Sequence, residues 1–273
     1  MLDVKSQKIL FIGCGAMGSA MVKNLIKNGF DLNNIHAVDP SNINIPGIKK
    51  YKDHTYLSPN FIYDMVFLSV KPQVATKVLS EYKDLPNFTG NTVFVSIMAG
   101  TRMKSIRDIL GQKIRLVRAM PNLPIVEGEG VFAYIFSNNI KKYQENILLK
   151  TFEYFGEIID LQNEKYFNDF TAIFGSGPAY VFLLQEMIFQ YAKSMQIDSD
   201  KLEKLVKKLF LGSALMSHNS SMNFQDLCDS VTSKNGTTQS GLEVLRKNDA
   251  LKKLVTKTLK SASKKSKELS RDQ

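Results

Sequence analysis

The sequence predicts an α/β chain whose second half is helical, and three observations carry this. Strand-like apolar runs alternate with helical patterns from residue 8 to about residue 160. A glycine-rich turn directly follows the first of those runs. Beyond about Asp160 the strand pattern stops and long helical periodicities take over. With 273 residues the chain has room for two ordinary domains. The expected division is 1–160 for a doubly wound α/β domain and 161–273 for an all-α domain.

Taken in order, Lys8 to Ile12 is an apolar run suited to a strand buried on both faces. Gly13-Cys14-Gly15-Ala16-Met17-Gly18 follows at once. Ala20, Met21, Leu25 and Ile26 then recur at helical spacing, and Asn28-Gly29 stops the helix. Ile35 to Val38 is the next strand and ends at Asp39. Strand, G-x-G-x-x-G, helix and strand in this order form the complete frame of a dinucleotide-binding turn. In that frame Gly13 permits the tight turn, Gly15 lets backbone approach a pyrophosphate, and Gly18 allows close helix–strand packing. This half is therefore Rossmann-like. A Gly-rich turn that only packs a helix is the plainer alternative. Asp39 is placed to accept from ribose hydroxyls and to repel a 2′-phosphate, which leans the cofactor toward NADH. A turn-initiating Asp before Pro40 is its plainer reading.

The alternation continues with a strand at Met65–Val70 running into Lys71-Pro72-Gln73 and a helix over Val74–Tyr82. A strand at Thr92–Ile97 ends in Met98-Ala99-Gly100, and a short helix covers Met103–Leu110. Strands follow at Ile114–Arg118 and Val131–Phe136. Ligands of such sheets bind beyond the carboxyl ends of the strands. Lys71, Ala99-Gly100 and Met120-Pro121-Asn122 all lie at those ends. For Lys71 a cofactor-loop role stands beside a solvated strand-end lysine.

In the second half, Phe167–Phe174 reads as a short helix, and Gly175-Ser176-Gly177-Pro178-Ala179-Tyr180 opens a long one to about Met195. Apolar residues occupy nearly every side of that helix, so it is deeply buried or lies between subunits. Ser199 or Asp200 caps a helix to about His218. A final pair covers about Thr238–Lys247 and Asp249–Glu268.

Composition narrows the function classes. The net charge of +10 raises nucleic acid as a partner. However, Lys201, Lys204, Lys207 and Lys208 fall on one helix face, as a solvated face does, and no nucleic-acid reading motif accompanies the C-terminal lysines. The two cysteines, Cys14 and Cys228, and three histidines have no metal-ligand spacing, so no metal is expected. No leader pattern is read at the N-terminus, and no apolar run reaches the roughly 18 residues that span a bilayer. A cytoplasmic protein without membrane or nucleic-acid partners is the expectation.

The most distinctive stretch is Leu227 to Leu242, a polar loop entering a helix. Ser233, Asn235, Gly236, Thr237 and Thr238 are clustered there. Small polar residues at a helix N-terminus leave N–H groups and partial positive charge accessible, which makes a seat for a carboxylate. An ordinary N-capped helix would also read this way.

Val231-Thr232-Ser233-Lys234-Asn235-Gly236-Thr237-Thr238 closely resembles the V-T-S-P-G-G-T-T signature of pyrroline-5-carboxylate reductases. Lys234 and Asn235 replace its Pro-Gly, and Asn tolerates the left-handed conformation Gly would supply. The resemblance runs nearly end to end. It includes Val70-Lys71-Pro72-Gln73, Ser96 to Gly100, Arg118-Ala119-Met120-Pro121-Asn122 and Phe174 to Tyr180.

It implies a Rossmann-like domain plus a helical dimerisation domain, and an interlocked homodimer or a multiple of it. It also implies NADPH- or NADH-dependent reduction of 1-pyrroline-5-carboxylate to L-proline, the last step of proline biosynthesis. By position it implies that Glu164, Ser233, Gly236, Thr237 and Thr238 meet the small-molecule substrate, with Thr238 at the reacting nitrogen. It implies that Gly13 to Gly18, Val70, Lys71, Pro72, Ala99, Gly100 and Ser230 meet the cofactor. A β-hydroxyacid dehydrogenase and a non-catalytic dinucleotide sensor are the other readings. The former places a catalytic Lys where this chain has Gly-Ser-Gly-Pro-Ala-Tyr.

Overall fold

A computed structural model of the chain describes residues 3–42 and 45–270. Contacts divide it into two compact units, one of residues 1–176 with 262–273, the other of residues 177–261. By contacts the division falls at Ser176, and the residues from Ala262 onward group with the first unit.

The first unit is built on one eight-stranded sheet. Its strands are β1 (Ile9–Ile12), β2 (Ile35–Val38), β3 (Lys49–Tyr51), β4 (Met65–Leu68), β5 (Val93–Ser96), β6 (Arg115–Met120), β7 (Gly130–Phe136) and β8 (Gly156–Asp160). Their order across the sheet is β3-β2-β1-β4-β5-β6-β7-β8. Every pairing is parallel except β6 with β7. The order reverses between β1 and β4, and the carboxyl ends there form the crevice where doubly wound sheets take ligands.

Both sheet faces are covered, which is why every residue of β1, β2, β4 and β5 is buried and β1 and β4 read as unbroken apolar runs. The period of two sends Ile9 and Phe11 into one core, with Met21, Leu25 and Phe132. Leu10 and Ile12 enter the other, with Leu79, Ile106 and Leu116. The helices of this unit are α1 (Ala16–Lys27), α2 (Ala75–Ser80), α3 (Met103–Leu110), α4 (Lys142–Phe152) and α5 (Phe167–Phe170), which continues as a π-turn over Thr171–Gly175.

The second unit holds α6 (Gly177–Ala192), α7 (Ser199–His218), α8 (Phe224–Ser230), α9 (Thr237–Arg246) and the start of α10 (Ala250–Leu269). Asp198, not Ser199 or Asp200, caps α7: its carboxylate accepts from the Lys201 N–H at 3.0 Å. An Asp just outside the helix reaches the first-turn N–H groups, whereas a residue inside it cannot.

Little of this unit is buried. Leu202 and Val206 are inside, but Phe182, Met187 and Tyr191 on α6 are 60%, 59% and 86% exposed, with Leu209 and Met216 on α7 also open. An apolar surface of this extent marks an interaction face. The expectation that no stretch is long and apolar enough to cross a bilayer needs correction. The helical stretch Glu164–Met195 has 32 residues and mean hydropathy 1.3 over its window, so it qualifies by length and composition alone. Gly175 to Pro178, Gln185 and Glu186 interrupt a continuous apolar run, so run length alone passes over this stretch.

Candidate functional site

The glycine turn is shaped by its neighbours in β4. Gly13 has φ +82°, and a Cβ there would lie 2.9 Å from the Ser69 backbone and from Val70 Cγ1. Only glycine fits that conformation and that space. The Ser69 hydroxyl donates to the Gly13 carbonyl, which ties the turn to the end of β4. A Cβ on Gly18 would meet Ser69 Oγ at 3.0 Å and the Gly13 carbonyl at 3.1 Å, so α1 lies close against the turn. Gly15 differs from both. It is the N-cap of α1, with φ −64°, no acidic residue in the first turn and no side-chain cap. Nothing lies within 4 Å of where its Cβ would be. Open space in front of an uncapped helix N-terminus suits a pyrophosphate, so the residues present fit a dinucleotide.

Asp39 is nearly buried. Its Oδ2 accepts from the Cys14 N–H at 2.6 Å, and its Oδ1 accepts from the Ser41 N–H at 2.8 Å and from the Ser41 hydroxyl. Burial acts to raise its pKa. The bonds from Ser41 and Cys14, with the charge of Lys50, outweigh burial and hold it below the usual carboxylate range. Asp39 thus braces the glycine turn as an ionised group. The Cys14 side chain points into the core, and burial pushes its thiol pKa up. Ala16 is exposed and Met17 half-buried at the start of α1.

Two further turns lie at carboxyl ends. After β4, Val70 is half-buried, Lys71 is exposed, and Pro72 begins a 3-10 turn in which the Lys71 carbonyl accepts from the Val74 N–H. After β5, Ala99 is half-buried and Gly100 turns the chain with φ +78°.

Glu164, expected at the substrate, lies in the same unit. Its Oε1 accepts from Arg118 Nη1 at 2.7 Å and from the Met103 N–H, the first of α3, at 3.1 Å. Arg118 is 4% exposed, and its guanidinium sits over the Phe167 ring at 4.3 Å. Burial acts against its charge, and Glu164 offsets that. Both bonds to Glu164 fall on one oxygen. Asn122 ties the Met-Pro-Asn run to the segment preceding α6. It donates to the Phe174 carbonyl at 3.1 Å and accepts from the Val131 N–H at 2.8 Å. Ser69 and the Arg118–Glu164 pair were not singled out as site supports. Nothing local signals these contacts, because the partners are distant in sequence.

In the second unit, α8 covers the first part of the polar stretch, and the Ser230 hydroxyl donates to the Leu227 carbonyl at 2.7 Å. The Thr232 hydroxyl donates to the Cys228 carbonyl at 2.7 Å. Asn235 adopts φ +59°, the left-handed conformation open to Asn, and its N–H donates to Gln239 Oε1 at 2.8 Å. Gly236 is the N-cap of α9, and a Cβ there would collide with Ser233 Oγ. No side chain caps α9 and its first turn has no acidic residue, so the N–H groups around Thr237 and Thr238 face outward from an uncapped terminus. Ser233, Thr237 and Thr238 are exposed. The structure therefore brings Ser233, Gly236, Thr237 and Thr238 together in one loop. The cofactor candidates Gly13 to Gly18, Asp39, Val70, Lys71, Pro72, Ala99 and Gly100 lie with Glu164 in the other unit. Among the described residues no group of three or more His, Cys, Asp or Glu is placed to hold a metal.

Comparison with known proteins finds matches in both halves of the chain. Residues 164–269 match the family model for pyrroline-5-carboxylate reductase dimerisation, and residues 8–100 match that for NADP oxidoreductase, coenzyme F420-dependent. The chain is 32% identical over 266 residues to a pyrroline-5-carboxylate reductase of Vibrio alginolyticus, covering 95% of this chain and 96% of that one. Its fold is similar to a Plasmodium falciparum pyrroline carboxylate reductase with NADP bound (TM-score 0.86, 28% identity, 97% and 99% covered). It is also similar to a Coxiella burnetii pyrroline-5-carboxylate reductase (TM-score 0.83, 30% identity, 97% and 99% covered). Likeness over nearly the whole length, at the level of both sequence and fold, means that the chain belongs to the pyrroline-5-carboxylate reductase family.

Proposed function

We propose that the glycine turn and the polar loop before α9 act as cofactor seat and substrate seat of one reaction. The chain is an NAD(P)H-dependent oxidoreductase that reduces the cyclic imine 1-pyrroline-5-carboxylate to L-proline, the last step of proline biosynthesis. The observation that carries this reading is the uncapped N-terminus of α9 behind Gly236, in a chain that also holds the open turn at Gly15. A helix N-terminus takes the substrate carboxylate without a countercharged side chain.

In this reading Ser233, Gly236 and Thr237 hold the carboxylate, and Thr238 hydrogen-bonds the ring nitrogen. Glu164 faces the substrate through the carboxylate oxygen that Arg118 and Met103 leave unused. The bound nicotinamide supplies a hydride to C5. The imine nitrogen enters protonated, so the product amine forms with atoms and charge in balance and no acid–base pair is required. The chain's own task is orientation and exclusion of water. The glycine turn, Asp39, Val70, Lys71, Pro72, Ala99, Gly100 and Ser230 serve the cofactor.

The open apolar face of α6 and α7 supports an interlocked homodimer or a multiple of it. The proposed setting is cytoplasmic, with no nucleic-acid or membrane partner. Asp39, held ionised at the end of β2, disfavours a 2′-phosphate and leans the enzyme toward NADH. An NADH-oxidation assay with 1-pyrroline-5-carboxylate, repeated with NADPH, tests both points. Turnover with NADH at the higher kcat/KM is expected, and Asp39→Asn narrows the gap. No turnover with either cofactor ends the proposal, and a much higher kcat/KM with NADPH ends the preference.

A further inference from the structure

We propose that the last turns of α10 are a positioning element for the cofactor turn at the end of β5. Ser263, Ser266 and Ser270 are buried on a helix whose neighbouring Lys264, Lys265 and Lys267 are exposed. Their spacing places all three on one face. The Ser263 hydroxyl donates to the Asp169 carboxylate, and the Ser266 hydroxyl donates to Asn168 Oδ1 at 2.8 Å. The Ser270 hydroxyl donates to the Ser266 carbonyl at 2.8 Å. A Lys-rich helix end has little apolar surface with which to hold a fixed register. These directional bonds to α5 set the register instead.

What that register places is Leu269 over Gly100. A Cβ on Gly100 would lie 3.2 Å from Leu269 Cβ, 3.3 Å from the Leu269 carbonyl carbon and 3.4 Å from the Ser270 nitrogen. The space a side chain would fill at Gly100 is thus filled by the tail. The same turn is held at its far end, where Glu164 accepts from the Met103 N–H. Gly100 has φ +78°, and a glycine there is free to leave that conformation unless something packs on it. The tail and Glu164 together clamp the Ala99-Gly100-Thr101 turn, and the tail fixes its middle. Weakening the tail therefore loosens the cofactor while leaving the substrate loop chemistry as it is. This rests on reading the Gly100 turn as part of the cofactor seat.

The test uses the full chain carrying Ser263→Ala with Ser266→Ala, which removes the bonds that set the register, and Ser266→Thr as the conservative variant. Cofactor Kd by nicotinamide fluorescence and the steady-state constants for both substrates are measured. The double variant is expected to raise Kd and KM for the cofactor about tenfold, with kcat at saturating cofactor and KM for the imine within about twofold. Ser266→Thr, which keeps the hydroxyl, is expected to retain most of the affinity. If the double variant does not fold, Ser266→Ala alone is read by the same constants. Unchanged cofactor affinity, or an equal loss in kcat and both KM values, overturns the proposal. Gly15→Ala separates the two readings. If it weakens cofactor binding while the tail variants leave binding unchanged, only the tail role fails. If neither changes binding, the assignment of the cofactor seat itself fails.

Discussion

Two alanine substitutions in the same turn should fail in opposite ways. At Gly13 the added methyl meets Ser69 backbone at 2.9 Å and the residue must hold φ +82°. The left-handed conformation costs a non-glycine residue roughly 1–2 kcal/mol, and overpacking against backbone adds about 1–3 kcal/mol. A loss of that size is a substantial part of the roughly 5–15 kcal/mol that separates native from unfolded domains. Gly13→Ala should lower the melting temperature by on the order of 10 °C. At Gly15 the methyl meets nothing within 4 Å and φ is −64°, so neither penalty applies. Exchanging one N-cap for a poorer one costs up to about 1 kcal/mol.

The Gly15 methyl instead occupies the space through which a pyrophosphate reaches the start of α1. A steric penalty of roughly 1–3 kcal/mol weakens cofactor binding about 5- to 150-fold. Thermal melting of the cofactor-free protein and a cofactor titration by calorimetry separate the two outcomes. Near-native melting with weak binding is expected for Gly15→Ala, and a destabilised protein for Gly13→Ala. A Gly15→Ala protein that binds NADH or NADPH within twofold of the native chain would refute the reasoning.

Thr238→Ala should leave folding and cofactor affinity intact and lower kcat about fivefold, the worth of one neutral hydrogen bond of about 1 kcal/mol. Unchanged steady-state kinetics would remove Thr238 from its role. His36 should make stability depend on pH. It is 3% exposed, its Nδ1 meets the Tyr63 hydroxyl at 2.7 Å, and its Nε2 has no partner among the described residues. Burial, with the nearby charge of Lys49, pushes its pKa below the ordinary value. Its contribution is therefore intact above the unfolded value of about 6.5 and is lost as pH falls toward the folded value, at up to about 1.4 kcal/mol per pH unit. Melting scans between pH 7 and 5 should show a decline that His36→Phe flattens. Parallel declines in the two proteins would count against this.

The first unit was legible wherever an element is buried on both sides. Ile35–Val38 has the expected bounds because it is buried throughout, and Met103–Leu110 because its apolar residues recur at helical spacing up to a Gly stop. The elements that went unread are at edges or lack such signals. Lys49–Tyr51 is a three-residue polar edge strand, Gly156–Asp160 is an edge strand with mostly exposed side chains, and Lys142–Phe152 opens on a lysine rather than a usual cap. Leu227 to Ser230, expected as the start of the polar loop, instead ends the helix Phe224–Ser230, whose seven residues are too few to show a helical period.

The glycine turn and the polar loop stand out in the sequence because the residues that shape them are consecutive. A backbone turn needs glycines at fixed offsets, and a helix start needs small polar residues beside it. That Asp39 braces Cys14, that Arg118 pairs with Glu164, and that the serines of the last helix return to Asn168 and Asp169 are outcomes of the tertiary fold. Hydrogen bonds of this kind depend on angstrom-scale placement of strand ends that lie far apart in the chain. Local preference determined the frame of this protein, and packing decided which polar groups are left to meet a ligand.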